Sequence, residues 1–82
     1  MSLAVHRTRF VGSYKLALSI TYYLHDNGYK YRESLWSNPE PNTFTWHVSS
    51  PGRGVITVYH TAPEVATLLA ISPLNLESYQ YA

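Results

Sequence analysis

The chain has 82 residues, of which 45% are hydrophobic and 13% are charged, and its formal net charge is +1. This length supports one small domain, and the hydrophobic fraction excludes an intrinsically disordered chain. The small net charge argues against strong nonspecific attraction to nucleic acid, which needs clustered lysines and arginines, and the lack of cysteine excludes disulfides and thiolate chemistry.

Residues 1–11 predict an N-terminal edge strand, because Leu3 to Val11 place alternate side chains on opposite faces. These residues mix apolar side chains with His and Arg, which is unlike the long apolar run of a signal peptide. The longest apolar-rich segments further along the chain are too short to span a bilayer. We therefore expect a cytoplasmic protein.

A helix is predicted over Tyr14–Asp26, with Ser13 as the N-cap whose hydroxyl accepts a bond from a first-turn amide. Its apolar residues fall at helical spacing and form one stripe, made by Leu16, Ala17, Ile20, Tyr23 and Leu24. Asn27 and Gly28 end the helix, because glycine adopts the left-handed conformation without a Cβ clash.

A second strand is predicted over Tyr29–Trp36, in which Tyr29 and Tyr31 share one face and Lys30 and Arg32 share the other. Residues 37–41 contain two prolines, which remove amide donors and fix φ, so this segment is predicted to be a loop.

A β-hairpin is the clearest pattern in the sequence. Its first strand alternates Phe44, Trp46 and Val48, which we expect to face the helices, with an uncharged outer face of Thr43, Thr45 and His47. Residues 49–54 carry Pro and Gly turn chemistry, and the β-branched segment 55–60 returns antiparallel.

The last predicted helix begins near Thr61 and Glu64, which have the three-residue spacing of a capping box. Its buried face is predicted to be made by Val65, Leu68, Leu69 and Ile71, and the helix is predicted to end at Ser72 and Pro73. Residues 74–82 predict a short C-terminal strand or a tail. The element order indicates an α+β two-layer sandwich, with a mostly antiparallel sheet of three to five strands and two helices on one face.

No motif in the sequence is typical of a catalytic, cofactor or metal site. His47 and His60 fall on the two hairpin strands and could face each other, but zinc requires three or four ligands at a suitable spacing. Asp26, Glu40 and Glu64 are assigned to a helix end, a loop and a capping box, which leaves Glu33 and Glu77 without a structural role, and acid–base catalysis needs two such groups in one pocket. No serine-nucleophile motif is present. We therefore expect no enzymatic activity, no cofactor and no metal.

Eight tyrosines and two tryptophans are too many to bury fully in so small a core, and such rings are enriched at protein interfaces. We expect an exposed tyrosine pair, either Tyr29 with Tyr31 or Tyr79 with Tyr81, and the uncharged face of Thr43, Thr45 and His47 is a further candidate. The sequence thus favours a small adaptor or inhibitor that binds another protein or a second copy of itself. Small phage proteins that act on host proteins are one context that fits this description, although no residue pattern indicates it.

The alternative is a weak nucleic-acid-binding domain. Arg7 and Arg9 share one strand face and Lys30 and Arg32 share another, so adjacent strands would group four positive charges near Trp36. Basic and aromatic side chains on a sheet face are typical of single-strand binding, where phosphates are held by cations and bases stack on rings.

Overall fold

The sheet of this protein has five strands and carries both helices on one face. The computed structural model describes residues 4–36, 39–50 and 52–78. In chain order the elements are β1 (His6–Gly12), α1 (Tyr14–Asp26), β2 (Lys30–Tyr31), β3 (Thr43–Val48), β4 (Gly54–His60), α2 (Glu64–Ala70) and β5 (Glu77–Ser78). The predicted two-layer α+β architecture is confirmed.

The strand order in the sheet is β2-β3-β4-β1-β5. β3, β4, β1 and β5 pair antiparallel, whereas β2 pairs parallel with β3. β1 therefore lies inside the sheet beside β4, and β5 covers its outer edge at Phe10 and Val11, so β1 is not the edge strand that was predicted. The predicted C-terminal strand forms at Glu77–Ser78, whereas Leu3 and residues 79–82 lie outside the described part.

The hairpin forms where the sequence predicts it. Phe44 pairs with His60, Trp46 with Val58 and Val48 with Ile56, so these six side chains lie on one face of the sheet. On β1 the same face continues with Phe10, which pairs with Ile56. This face packs against α1 and α2 in one core with Ile20, Leu24, Val65 and Leu69.

Helix α1 has the predicted bounds, and its predicted core residues Ala17, Ile20 and Leu24 are buried. Ser13 holds the N-cap position, but its side chain makes no capping hydrogen bond. Gly28 has a φ of 93° directly after the helix, as the predicted glycine stop requires.

The predicted capping box of the second helix is wrong. Thr61 donates its hydroxyl to the carbonyl oxygen of Glu40 at 2.8 Å, so this side chain ties two loops together instead of capping α2. The helix begins at Glu64, directly after Pro63, and it ends at Ala70. Ile71 was predicted to be buried, but it follows the last helical turn and is exposed.

The predicted strand over Tyr29–Trp36 shrinks to Lys30–Tyr31. A strand that pairs parallel with the next strand of the chain needs a crossover to return to the same end of the sheet. Residues 32–36 and 39–42 belong to that crossover, so the alternation of residues 32–36 does not correspond to a strand. Asn42, with a φ of 59°, makes the last turn into β3, in a left-handed conformation that asparagine tolerates better than most residues.

In the described part of the chain, neither helix has the length and apolar character needed to cross a lipid bilayer.

We expect Gly12→Ala to destabilise the fold, because a Cβ at this position would lie 2.5 Å from Leu16 Cδ2 and 2.9 Å from Ile56 Cδ1. Overpacking of this kind costs about 1–3 kcal/mol of unfolding free energy, which urea denaturation measures. Gly52→Ala is the matched control, because a Cβ there meets no atom within 4 Å, and its effect should stay within about 0.5 kcal/mol. Equal effects of the two substitutions would contradict this packing.

Candidate functional site

An open aromatic groove lies between α1 and the β2–β3 side of the sheet. Its volume is about 280 Å³, and its lining residues are Tyr14, Leu18, Thr21, Tyr31 and Trp46. α1 contributes three of them, because positions 14, 18 and 21 project from neighbouring parts of one helix face. We refer to this feature as the aromatic groove.

Trp46 is held in a fixed orientation within the aromatic groove. Its indole Nε1 donates to Thr21 Oγ1 at 2.8 Å, and the Thr21 hydroxyl in turn donates to the carbonyl oxygen of Ala17 at 2.9 Å. The rings of Tyr14 and Trp46 form a T-shaped pair with centroids 5.3 Å apart and an interplanar angle of 73°. The indole therefore presents an ordered aromatic surface whose polar atom is already satisfied.

Tyr31 forms the side of the aromatic groove opposite α1. Its ring meets Phe44 edge-on with centroids 5.8 Å apart, and its centroid lies 6.2 Å from that of Trp46. Both Tyr31 and Tyr14 remain about half exposed. Of the predicted tyrosine pair Tyr29/Tyr31, only Tyr31 thus lies on the surface.

Tyr29 is buried in the core, and its hydroxyl approaches Glu64 Oε1 at 3.4 Å. Burial raises the pKa of Tyr29, and the adjacent Glu64 carboxylate raises it further. The prediction that Tyr29 is an exposed contact residue is therefore wrong. The other predicted pair, Tyr79 and Tyr81, lies outside the described residues.

The uncharged hairpin face is largely covered by the chain itself. Thr43 and Thr45 are buried, so the expectation that they offer an exposed surface is wrong, and only His47 of this set is exposed. The crossover supplies the reason. Leu35 is fully buried but stands apart from the helix-side core, and the exposed ring of Trp36 meets Tyr59 on the outer face with centroids 5.0 Å apart.

The predicted cluster of basic residues does not form. Arg7 and Arg9 lie on β1 and Lys30 lies on β2, but β3 and β4 stand between these strands, and each step across a sheet is about 4.8 Å. Arg32 forms an ion pair with Glu40 at 2.6 Å. Trp36 is exposed, and its ring meets Tyr59, whose cross-strand partner on β1 is Arg7.

The two hairpin histidines do not face each other. His47 pairs with Thr57 and lies on the outer face, whereas His60 pairs with Phe44 and is buried on the helix side. His60 Nδ1 lies 2.8 Å from the carbonyl oxygen of Ala62, to which it donates, and the Thr8 hydroxyl lies 2.9 Å from Nε2. Both ring nitrogens are therefore occupied within the fold. Among the described residues, no three metal-ligating side chains lie close enough to hold an ion.

No family model matches this chain, and no curated protein or solved structure gives a significant match.

The sequence-based interpretation missed most of the groove-lining residues. Tyr14 and Leu18 were assigned to a helix without attention to its outer face, and Trp46 was counted only as a core residue. A signal was present, because Tyr14, Leu18 and Tyr22 recur every four residues outside the predicted buried stripe. Large apolar side chains on the outer face of an amphipathic helix are the pattern that predicts a contact surface.

We expect stability to fall in mild acid because of His60. Burial lowers the pKa of His60 below its ordinary value of 6.5, and the stacked His6 lowers it further, while the hydrogen bond to Ala62 and the charge of Glu64 oppose this. The unfolded chain therefore takes up a proton more readily than the folded protein. This contribution to stability is fully present above pH 6.5 and is lost as the pH falls from there toward the lower folded-state pKa.

Urea denaturation between about pH 8 and pH 5 measures this effect. His60→Asn should flatten the slope of unfolding free energy against pH, whereas His47→Asn, at an exposed position, should retain it. An unchanged slope in the His60 variant would show that another group is responsible.

Proposed function

We propose that this protein is a non-enzymatic protein-interaction module, an adaptor or inhibitor, that binds a partner protein at the aromatic groove. The observation that carries the proposal is the groove itself, in which Tyr14, Leu18 and Tyr31 are exposed around a fixed Trp46. Ordered aromatic side chains are the residues that contribute most to protein–protein affinity, and their prior ordering lowers the entropic cost of binding.

The size of the aromatic groove favours a protein side chain as its occupant. Its volume of about 280 Å³ lies at the lower limit of the range of about 300–1,000 Å³ that is common for small-molecule and cofactor pockets. It is open to solvent and lined by three aromatic rings, Leu18 and Thr21. An apolar or aromatic side chain from a partner surface fits this description better than an enclosed cofactor.

The neighbouring sheet edge supports the same proposal. β2 pairs only with Thr43 and Phe44, so within the described residues no strand pairs with the outer side of β3 from Thr45 to Val48. An edge of this kind offers backbone donors and acceptors to an incoming strand. A partner segment in the groove would therefore have backbone hydrogen bonds available close by. We keep the cytoplasm as the proposed location, on the sequence grounds given above.

Weak nucleic-acid binding is the alternative, and one observation favours it. Trp36 is 60% exposed and forms a T-shaped pair with Tyr59, and Arg7 lies on the strand beside Tyr59. A base could therefore stack on the exposed Trp36 ring. The separation of β1 from β2 leaves fewer cations nearby than single-strand binding generally uses. We therefore rank it below protein binding.

Affinity capture from a lysate of the native host tests the proposal, with Leu18→Asp as the groove variant and Ile71→Asp as its control. Both substitutions replace an exposed aliphatic side chain with aspartate, but Ile71 lies outside the groove. We expect to capture a protein whose binding is unaffected by nuclease treatment. The Ile71→Asp control should still capture it, and the Leu18→Asp variant should not. The purified partner should then bind the Leu18 variant at least about tenfold more weakly.

Two results would contradict the proposal. One is equal binding of the purified partner by both variants. The other is capture that nuclease abolishes and that Trp36→Ala removes, which would favour the nucleic-acid alternative.

A further inference from the structure

Helix α1 carries an apolar ridge on its solvent side. Tyr14, Leu18 and Tyr22 lie at successive four-residue steps and are 51%, 37% and 71% exposed. A thirteen-residue helix is about 20 Å long, so the ridge follows most of its length. The opposite face of α1 is buried in the core through Ala17, Ile20 and Leu24, which leaves the ridge as a second apolar face.

Two charged side chains flank this ridge at the ends of α1 where the helix dipole disfavours them. Lys15 lies in the first turn, where the dipole is positive, and Asp26 is the last residue, where it is negative. No acidic residue occupies the first turn. Neither charged side chain has an ion-pair partner among the described residues. Both charges oppose the helix dipole and so weaken the isolated helix. The stability of α1 therefore does not explain why Lys15 and Asp26 occupy these positions.

We infer that the ridge of α1 binds a second copy of this chain, with the two α1 helices packed antiparallel about a twofold axis. The inference rests on the proposed function, since Tyr14 and Leu18 belong to both the aromatic groove and the ridge. The partner protein is then a second copy of this chain. A twofold interface must be complementary to itself. The order of side chains along α1 meets that condition.

The helical repeat sets the register of this pairing. Lys15 and Asp26 are eleven residues apart, which is close to three turns at about 3.6 residues per turn, so both project from the same side of the ridge. When Leu18 packs against Tyr22 of the second copy, Lys15 lies within one residue, about 1.5 Å along the helix axis, of the position opposite Asp26 of that copy. Each charge then also lies beside the favourable dipole end of the partner helix. One arrangement thus pairs both charges and covers the ridge.

The contact area indicates a weak dimer. Each fully buried aromatic residue removes about 150–250 Å² from water, and the ridge offers two partly exposed tyrosines and one leucine in each copy. This is less than the roughly 1,200–2,000 Å² in total that stable complexes bury. We therefore expect an equilibrium between monomer and dimer that depends on protein concentration and on salt.

Charge reversal tests the pairing directly. Sedimentation velocity of the wild-type chain from about 1 µM to about 1 mM should show a reversible dimer. Lys15→Asp places two acidic residues opposite each other at both contacts, and Asp26→Lys places two basic ones, so each variant alone should dimerise about tenfold more weakly or worse. An equimolar mixture of the two variants pairs opposite charges at both contacts, so dimerisation should recover.

The same two variants also show whether the fold is retained. Both substitutions put the charge that the helix dipole favours at each end of α1, so the thermal midpoint of each variant should equal or exceed that of the wild type. Loss of the dimer without loss of stability then identifies the interface. Leu18→Asp should abolish dimerisation of the wild-type sequence, and Ile71→Asp should leave it unchanged.

A wild-type chain that stays monomeric throughout the concentration range would overturn the inference, and so would single variants that dimerise normally or a mixture that does not recover. Lys15 and Asp26 do not line the aromatic groove. If the charge reversals fail while the purified partner still distinguishes Leu18→Asp from Ile71→Asp, the second copy is excluded and the proposed function stands. If that distinction also fails, both are excluded.

Discussion

The carbonyl oxygen of Glu40 joins the start of β3 to the end of β4, and the arrangement of both sheet faces depends on this junction. It accepts hydrogen bonds from the hydroxyls of Thr43 at 2.7 Å and Thr61 at 2.8 Å. The Thr43 amide in turn donates to Thr61 Oγ1 at 3.2 Å. These bonds satisfy polar groups in a buried position, where an unpaired donor or acceptor would be costly. They hold the end of the crossover against the start of β3 and the end of β4.

This junction gives the two faces of the sheet different roles. The crossover contacts the outer face, where the ring of Trp36 meets Tyr59 and the carbonyl oxygen of Glu40 meets the buried Thr43. The helix face holds the core, and α1 leaves the aromatic groove beside the short β2. β2 ends after two residues because the chain must turn into the crossover. Tyr14 of α1, Tyr31 of β2 and the partly buried Trp46 of β3 therefore line one side of the sheet, without a covering strand among the described residues.

The sequence predicted the elements that local rules determine. The period of α1, its glycine stop at Gly28 and the alternation of β3 are encoded in neighbouring residues, and all three are confirmed. Long-range pairing set the rest. Thr61 has the spacing of a capping box, but a distant carbonyl at Glu40 takes its hydroxyl. Residues 32–36 alternate like a strand, yet the parallel β2–β3 pair requires them as a crossover.

The sequence predicted that the candidate surface is aromatic, but it identified only some of the residues that form it. Tyrosine content indicated an aromatic surface, and Tyr31 belongs to it. Tyr29 was misplaced because the strand pattern gave it the same face as Tyr31, whereas the turn after α1 directs it into the core beside Glu64. Thr43 and Thr45 were misplaced because no local pattern shows that a crossover folds over them. The basic cluster required β1 and β2 to be neighbours, and strand order is set by the whole fold.

The two tryptophans provide the most direct test of the central claim, because Trp46 lines the aromatic groove and Trp36 lies on the opposite face. The measurement is a ¹H–¹⁵N NMR titration with N-acetyl-tryptophanamide, which stands in for an aromatic side chain of a partner. We expect progressive shifts of the Trp46 indole signal and of the Leu18 and Tyr31 amides, with the Trp36 indole unchanged. Shifts at the Trp36 indole alone, or none at any of these signals, would contradict the central claim.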